Sequence, residues 1–160
     1  MIRLYKSDET GTPLAYHEAW VEPQHRRIVE HWGYIGEPGE TATHRVHILG
    51  SLEKQFAGVL QGARELGFQE LSESAYATLV VEFVLTGAGS VADQDKQEDV
   101  TDALTEKLGW LGLGYCEEGR VIDEKIEICC RVLNVELAKT TIAEALDGSV
   151  FADYSRIYQE

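Results

Sequence analysis

His31-Trp32-Gly33-Tyr34-Ile35-Gly36-Glu37-Pro38-Gly39 is the stretch on which the fold turns. Arg26 to Ile35 is rich in β-branched and aromatic residues and reads as a strand. Gly36-Glu37-Pro38-Gly39 then reads as a tight turn. Thr41 to Leu49 reads as the next strand. Upstream, Arg3 to Lys6 and Leu14 to Val21 read as two more, with Ser7 to Pro13 as the turn between them and Pro23 ending the second. Leu52, Phe56, Val59, Leu60 and Ala63 recur at helical spacing, with Ser51 as N-cap and Gly67 just beyond the C-terminus. A sheet of this size needs a cover for one face, so the helix is expected to pack across it.

Trp32-Gly33-x-Ile35-Gly36 followed by Gly39 resembles the motif of the WGR domain, a module best known from DNA-damage-sensing poly(ADP-ribose) polymerases. Looser matches are the aromatic second strand, Ala15 to Trp20, and Phe56 on the helix. The resemblance covers residues 1–71. It implies an antiparallel sheet with one packed helix. In that family the Trp and Arg of the motif face a DNA end or a neighbouring domain. Carried over, Trp32 keeps its place and Tyr34 stands where the family has Arg. The family's Gly-x-x-Gly-Gln turn is Gly36-Glu37-Pro38-Gly39-Glu40 here. One cation is lost and two anions are gained, which disfavours phosphate contact. Trp32 also reads as a core tryptophan, with the glycines serving the turn alone.

Ser72-Glu73-Ser74 is the expected junction, and residues 75–160 read as a second, acidic domain. Ala77 to Thr86 carries apolar residues on both faces and reads as a central strand. Gly87 to Asp93 reads as a loop. Asp95 to Leu108 reads as a helix with Val100, Ala103, Leu104 and Leu108 inward. Leu111 to Glu117 is a strand, and Glu118-Gly119 begins a turn. Lys125 to Asn134 is a strand, Val135 to Leu146 a helix, and Val150 to Tyr158 a last strand or tail. The order βαββαβ is the ferredoxin-like arrangement. It predicts a four-stranded antiparallel sheet with Ala77–Thr86 and Lys125–Asn134 adjacent at its centre. The fold class is therefore α+β, a WGR-like sheet and helix followed by a ferredoxin-like domain.

Net charge is −14, unevenly spread. Residues 1–71 hold 7 Lys+Arg against 10 Asp+Glu, and residues 72–160 hold 7 against 18. The second half should repel phosphates and attract a basic partner; the acidity also serves solubility. No apolar run approaches the ~20 residues needed to span a bilayer. The N-terminus has no secretory h-region, so a cytoplasmic protein is expected. Cys116, Cys129 and Cys130 form no Cys-x-x-Cys, and the expectation is reduced thiols. By strand alternation Cys130 faces the helices and should be inert in the native state, while Cys129 lies on the other face and should react with a thiol probe unless another surface, the first domain or a second subunit, covers it.

Arg26, Arg27 and Arg45, with nearby histidines, form the main cationic concentration. If their strands are neighbours, they make a patch beside Trp32 and Tyr34. Binding residues are therefore expected at Trp32, Tyr34, Arg26, Arg27 and Arg45. No catalytic residue, metal site or cofactor is expected. Gly87-Ala88-Gly89 lacks the spacing and Lys of a phosphate cradle, and Glu117-Glu118 and Asp123-Glu124 read as soluble turn residues. The favoured function is a non-enzymatic binding or regulatory protein that recognises a protein partner, such as an antagonist masking a basic one. The first alternative is a nucleic-acid-associated WGR protein touching phosphates through Arg26, Arg27 and Arg45. The second is a ligand-sensing or enzymatic ferredoxin-like domain. No membrane partner is expected, and a homodimer is compatible with the sequence.

Overall fold

The computed structural model describes residues 1–47, 50–85, 90–122 and 124–160. The chain forms two compact units, Met1–Ser72 and Glu73–Glu160.

In the first unit, β1 (Ile2–Ser7), β2 (Pro13–Glu22), β3 (Arg27–Tyr34) and β4 (Glu40–Arg45) form an antiparallel meander in sequence order. Helix α1 (Leu52–Glu65) covers one face. Strand alternation places Leu4, Ala19 and Ile28 on that face, and Leu60 and Ala63 of α1 close over them. Each large apolar side chain buried this way contributes about 1.5–3 kcal/mol. Leu52, expected inward, is exposed at the first turn of α1, and Ser51 makes no side-chain capping bond. Gly67 has φ +90° and turns the chain out of the helix, so that the Phe68 N–H donates to the Ala63 carbonyl at 3.1 Å. Strand β4 ends at Arg45; Ile48 and Leu49 of the longer strand expected there lie outside the described residues.

The second unit runs β5 (Ala77–Val84), α2 (Val91–Trp110), β6 (Gly114–Cys116), β7 (Arg120–Ile122), β8 (Lys125–Val132), α3 (Val135–Asp147) and β9 (Arg156–Gln159). The sheet order is β9-β5-β8-β6, with β7 also on β8, and every pairing is antiparallel. Strands β5 and β8 are the central pair, as their two-sided apolar pattern predicts. Leu79, Val81 and Phe83 oppose Cys130, Ile128 and Ile126 on the face that carries the buried Val100, Leu104 and Leu108 of α2.

Three expectations need correction. The sheet has five strands: the strand expected over Leu111–Glu117 is the three-residue β6, and β7 is an added strand beyond the turn expected at Glu118-Gly119. At that turn Gln97 of α2 donates to the Gly119 carbonyl at 2.9 Å and diverts it from the ladder. Helix α2 starts at Val91, four residues early, on a capping box. There Asp93 N–H donates to Ser90 Oγ and Ser90 N–H to the Asp93 carboxylate, at 3.3 and 3.0 Å. Ala103 is exposed, and Gly109 is buried in α2. The residues 87–89, read as part of the preceding loop, lie outside the described set, as does Asp123.

Candidate functional site

Trp32 and Tyr34 end up at one end of the first sheet, on the face that α1 also covers. Lys6 of β1, Ala15 of β2 and Tyr34 of β3 form one cross-strand row. Leu4, His17 and Trp32 form the next. A small alanine between two long side chains leaves a depression. The result is a groove of about 580 Å³, walled by Trp32, Tyr34 and Lys6 and closed from the helix side by Leu66 and Phe68. Tyr34 and Leu66 are each about two-thirds exposed, at 66% and 67%.

The inner wall is held in place. The His17 ring stacks on Trp32, with centroids 5.8 Å apart and planes 21° apart, and meets Phe68 edge-on at 5.7 Å. Glu30 fixes that imidazole: its carboxylate lies 2.6 Å from His17 Nε2 and 2.6 Å from His44 Nε2. Lys6 Nζ sits 5.9 Å from the centre of the Phe68 ring. Rigid aromatic walls lower the entropy lost when a side chain enters.

The turn beyond Tyr34 is built on close approach. Gly36 has φ +90°. A Cβ on Gly39 would lie 2.1 Å from the Trp32 carbonyl oxygen and 2.5 Å from the Tyr16 hydroxyl. The glycines of the motif therefore have a steric function in this chain. The Tyr16 hydroxyl donates to the Glu37 carbonyl at 3.2 Å. Burial and the nearby Glu18 carboxylate push the Tyr16 phenol up to about 12, so it stays neutral.

The cationic residues do not join this groove. Arg27 opens β3 and Tyr34 closes it, seven residues and roughly 23 Å apart at ~3.3 Å per residue. Odd and even positions on a strand also point to opposite faces, so Arg27 lies on the face away from Trp32 and Tyr34. Arg26 adopts a left-handed conformation (φ 48°) after the short 3-10 turn Pro23–His25. Arg27 Nε is 2.6 Å from the Glu22 carboxylate, and Arg45 stands directly opposite Arg27 on β4. His31 is fully buried, 2.9 Å from Glu18, which also pairs with Arg3 at 2.6 Å. The single patch expected from sequence is thus an aromatic groove at one end of the sheet and an arginine pair at the other.

No family model, curated protein or solved structure matches the chain.

Sequence reading found Trp32 and Tyr34 but not Lys6, His17, Leu66 or Phe68. The pairing Trp32–His17 becomes visible only once the β2–β3 register is known. Phe68 reaches the groove because Gly67 reverses the chain.

In the second unit the charged residues serve the sheet. On the face away from the helices, Glu82 accepts from Arg156 at 2.8 Å, Ser155 Oγ at 2.8 Å and Lys125 at 3.0 Å. Those bonds hold its carboxyl down at about 2. Glu127 takes Arg120 and Tyr158 at 2.8 and 3.0 Å. Cys129 sits among these long side chains and is only 6% exposed, the covered case of the expectation for this face. Burial pushes its pKa up. Tyr158, read as a terminal aromatic, is a β9 residue opposite Val80. Along α2, Asp95, Glu98, Asp99, Asp102 and Glu106 are exposed and form an acidic surface. Among the described residues no group of three His, Cys, Asp or Glu is placed to hold a metal ion. No described helix is long and apolar enough to cross a membrane.

Proposed function

We propose that the chain is a non-enzymatic binding or regulatory protein that recognises a protein partner, with the Trp32–Tyr34 groove receiving an apolar or aromatic side chain. One observation carries this reading: a groove of about 580 Å³ with a pre-set aromatic wall and two large apolar side chains, Tyr34 and Leu66, left in water at its rim. Exposed apolar clusters next to a pocket are the usual anchors of protein recognition. The net charge of −14 and the acidic face of α2 favour a basic partner, which they would attract and orient. The resemblance of residues 1–71 to the WGR domain supports Trp32 as a recognition residue, by analogy. The setting we propose is cytoplasmic.

The nucleic-acid reading rests on a separate observation. Arg27 and Arg45 oppose one another on neighbouring strands, a like-charge pair that a bound phosphate would relieve. Glu22 already neutralises Arg27, and the aromatic residues that would stack bases lie at the far end of the sheet.

Affinity capture from host lysate separates the two, using wild type, Tyr34→Ser/Leu66→Ser and Arg27→Ala/Arg45→Ala. The proposal expects a protein retained by wild type and by the arginine variant, lost with the groove variant, and unaffected by nuclease. Capture that needs nucleic acid and survives the groove variant would favour the arginine reading.

A further inference from the structure

The second unit places two thiols together that the sequence keeps fourteen residues apart. Cys116 of β6 and Cys130 of β8 are cross-strand partners, and their Sγ atoms lie 2.8 Å apart. The ladder shows which kind of pair this is. Leu133 N–H donates to the Leu113 carbonyl, and Glu117 N–H donates to the Cys129 carbonyl. Those neighbouring positions are the hydrogen-bonded ones, so Cys116 and Cys130 occupy a non-hydrogen-bonded site between them. There the Cα atoms of opposed residues come to about 4.5 Å, inside the range a disulfide spans. Bond formation at ~2.05 Å asks the sulfurs to close by less than about 1 Å.

The two thiols differ in access. Cys130 is fully buried on the helix-covered face of β8, whereas Cys116 is half-buried. Cys116 is the last residue of the three-residue edge strand, next to the break before Arg120. A short edge strand that ends there can shift without disturbing the central ladder. Cys129 points to the other face and is not positioned to compete.

We propose that Cys116 and Cys130 are a modification site, an intramolecular dithiol that a hydroperoxide converts to a disulfide across β6 and β8. The Cys116 thiolate attacks the peroxide; an S–O bond forms, the O–O bond breaks, and the departing oxygen leaves protonated as water or alcohol. Cys116 is then a sulfenic acid. Cys130 Sγ attacks Cys116 Sγ; the S–S bond forms, the S–O bond breaks, and the hydroxyl leaves as water with the Cys130 proton. Two thiols lose two electrons in total, and one hydroperoxide gains them. The hydrogen bond with Cys116, together with burial, holds the Cys130 thiol well above its ordinary pKa, so it stays protonated through the first step and gives its proton to the departing hydroxyl in the second.

The test treats the folded full-length chain with hydrogen peroxide, blocks remaining thiols by alkylation and maps unreduced tryptic peptides. The expected product is a monomer lighter by two hydrogens, with the Cys116 peptide linked to the peptide holding Cys129 and Cys130. Fragmentation of the linked peptide should put the bond on Cys130, and Cys129→Ser should form it equally well. Dithiothreitol should reverse it. The oxidised protein should melt higher by more than about 5 °C, because the bond constrains the unfolded chain. Cys116→Ser should abolish the link and leave Cys130 unmodified. Four results would overturn the proposal: a bond to Cys129, a bond between two molecules, over-oxidation of Cys116 without a link, or Cys116 left as a free thiol where an unstructured cysteine peptide is oxidised.

Discussion

Glu82 shows how a single carboxylate reports on the fold. It is 4% exposed in an otherwise apolar central strand, yet it stays ionised because Arg156, Ser155 and Lys125 converge on it. Its carboxyl sits at about 2 against an ordinary 4.5, so folding favours the ionised form. The stabilisation is fully present above the unfolded value and is lost as pH falls from about 4.5 toward 2. Glu82→Gln is therefore expected to melt several degrees below wild type at neutral pH, with the gap closing over that window; parallel melts at stepped pH check it. Glu82 is also a residue whose meaning the sequence hides. It stands in a run of Leu, Val and Phe, and its partners come from β8, β9 and the residue before β9, distant in the chain. Trp32, Tyr34 and the glycines were legible because their chemistry is local to one strand end and its turn. The arginines were misplaced because nearness in sequence along β3 and β4 is not nearness to the groove: β3 carries Arg27 and Tyr34 at opposite ends and on opposite faces.

At the scale of elements, pattern and punctuation decided what could be read. Strands β5 and β8 announce themselves as central through apolar residues at both parities, and α3 through helical spacing between Asn134, which caps Leu137, and Gly148. Helix α2 is longer than its apolar stripe because its first turn, with Val91 and Ala92 exposed, is fixed by the Ser90–Asp93 box rather than by burial. Removing that cap should cost about 1 kcal/mol, so Ser90→Ala is expected to lower the denaturant midpoint by a corresponding amount with an unchanged slope. The turn at Glu118-Gly119 is legible, but the short strand β7 beyond it has no comparable signal. It depends on Gln97 reaching Gly119 from another element, and a Cβ on Gly119 would lie 2.7 Å from Gln97 Cγ. The same turn leaves β6 three residues long, which gives Cys116 its access and Cys130 its partner.

At the scale of the whole molecule, two features point the same way. Of the net fourteen negative charges, eleven fall in residues 72–160, and a pre-set aromatic groove opens in residues 1–71. Charge of that sign raises encounter rates with a basic protein and opposes phosphate, while the groove gives a partner's apolar side chain somewhere to bury. Long-range steering falls with salt, and groove burial does not. The most direct measurement is the equilibrium affinity of the captured partner for wild type and for Tyr34→Ser at physiological salt. The account predicts at least about a tenfold loss with Tyr34→Ser, the size expected for an interface anchor. Unchanged affinity in Tyr34→Ser, with loss in Arg27→Ala/Arg45→Ala, would contradict it.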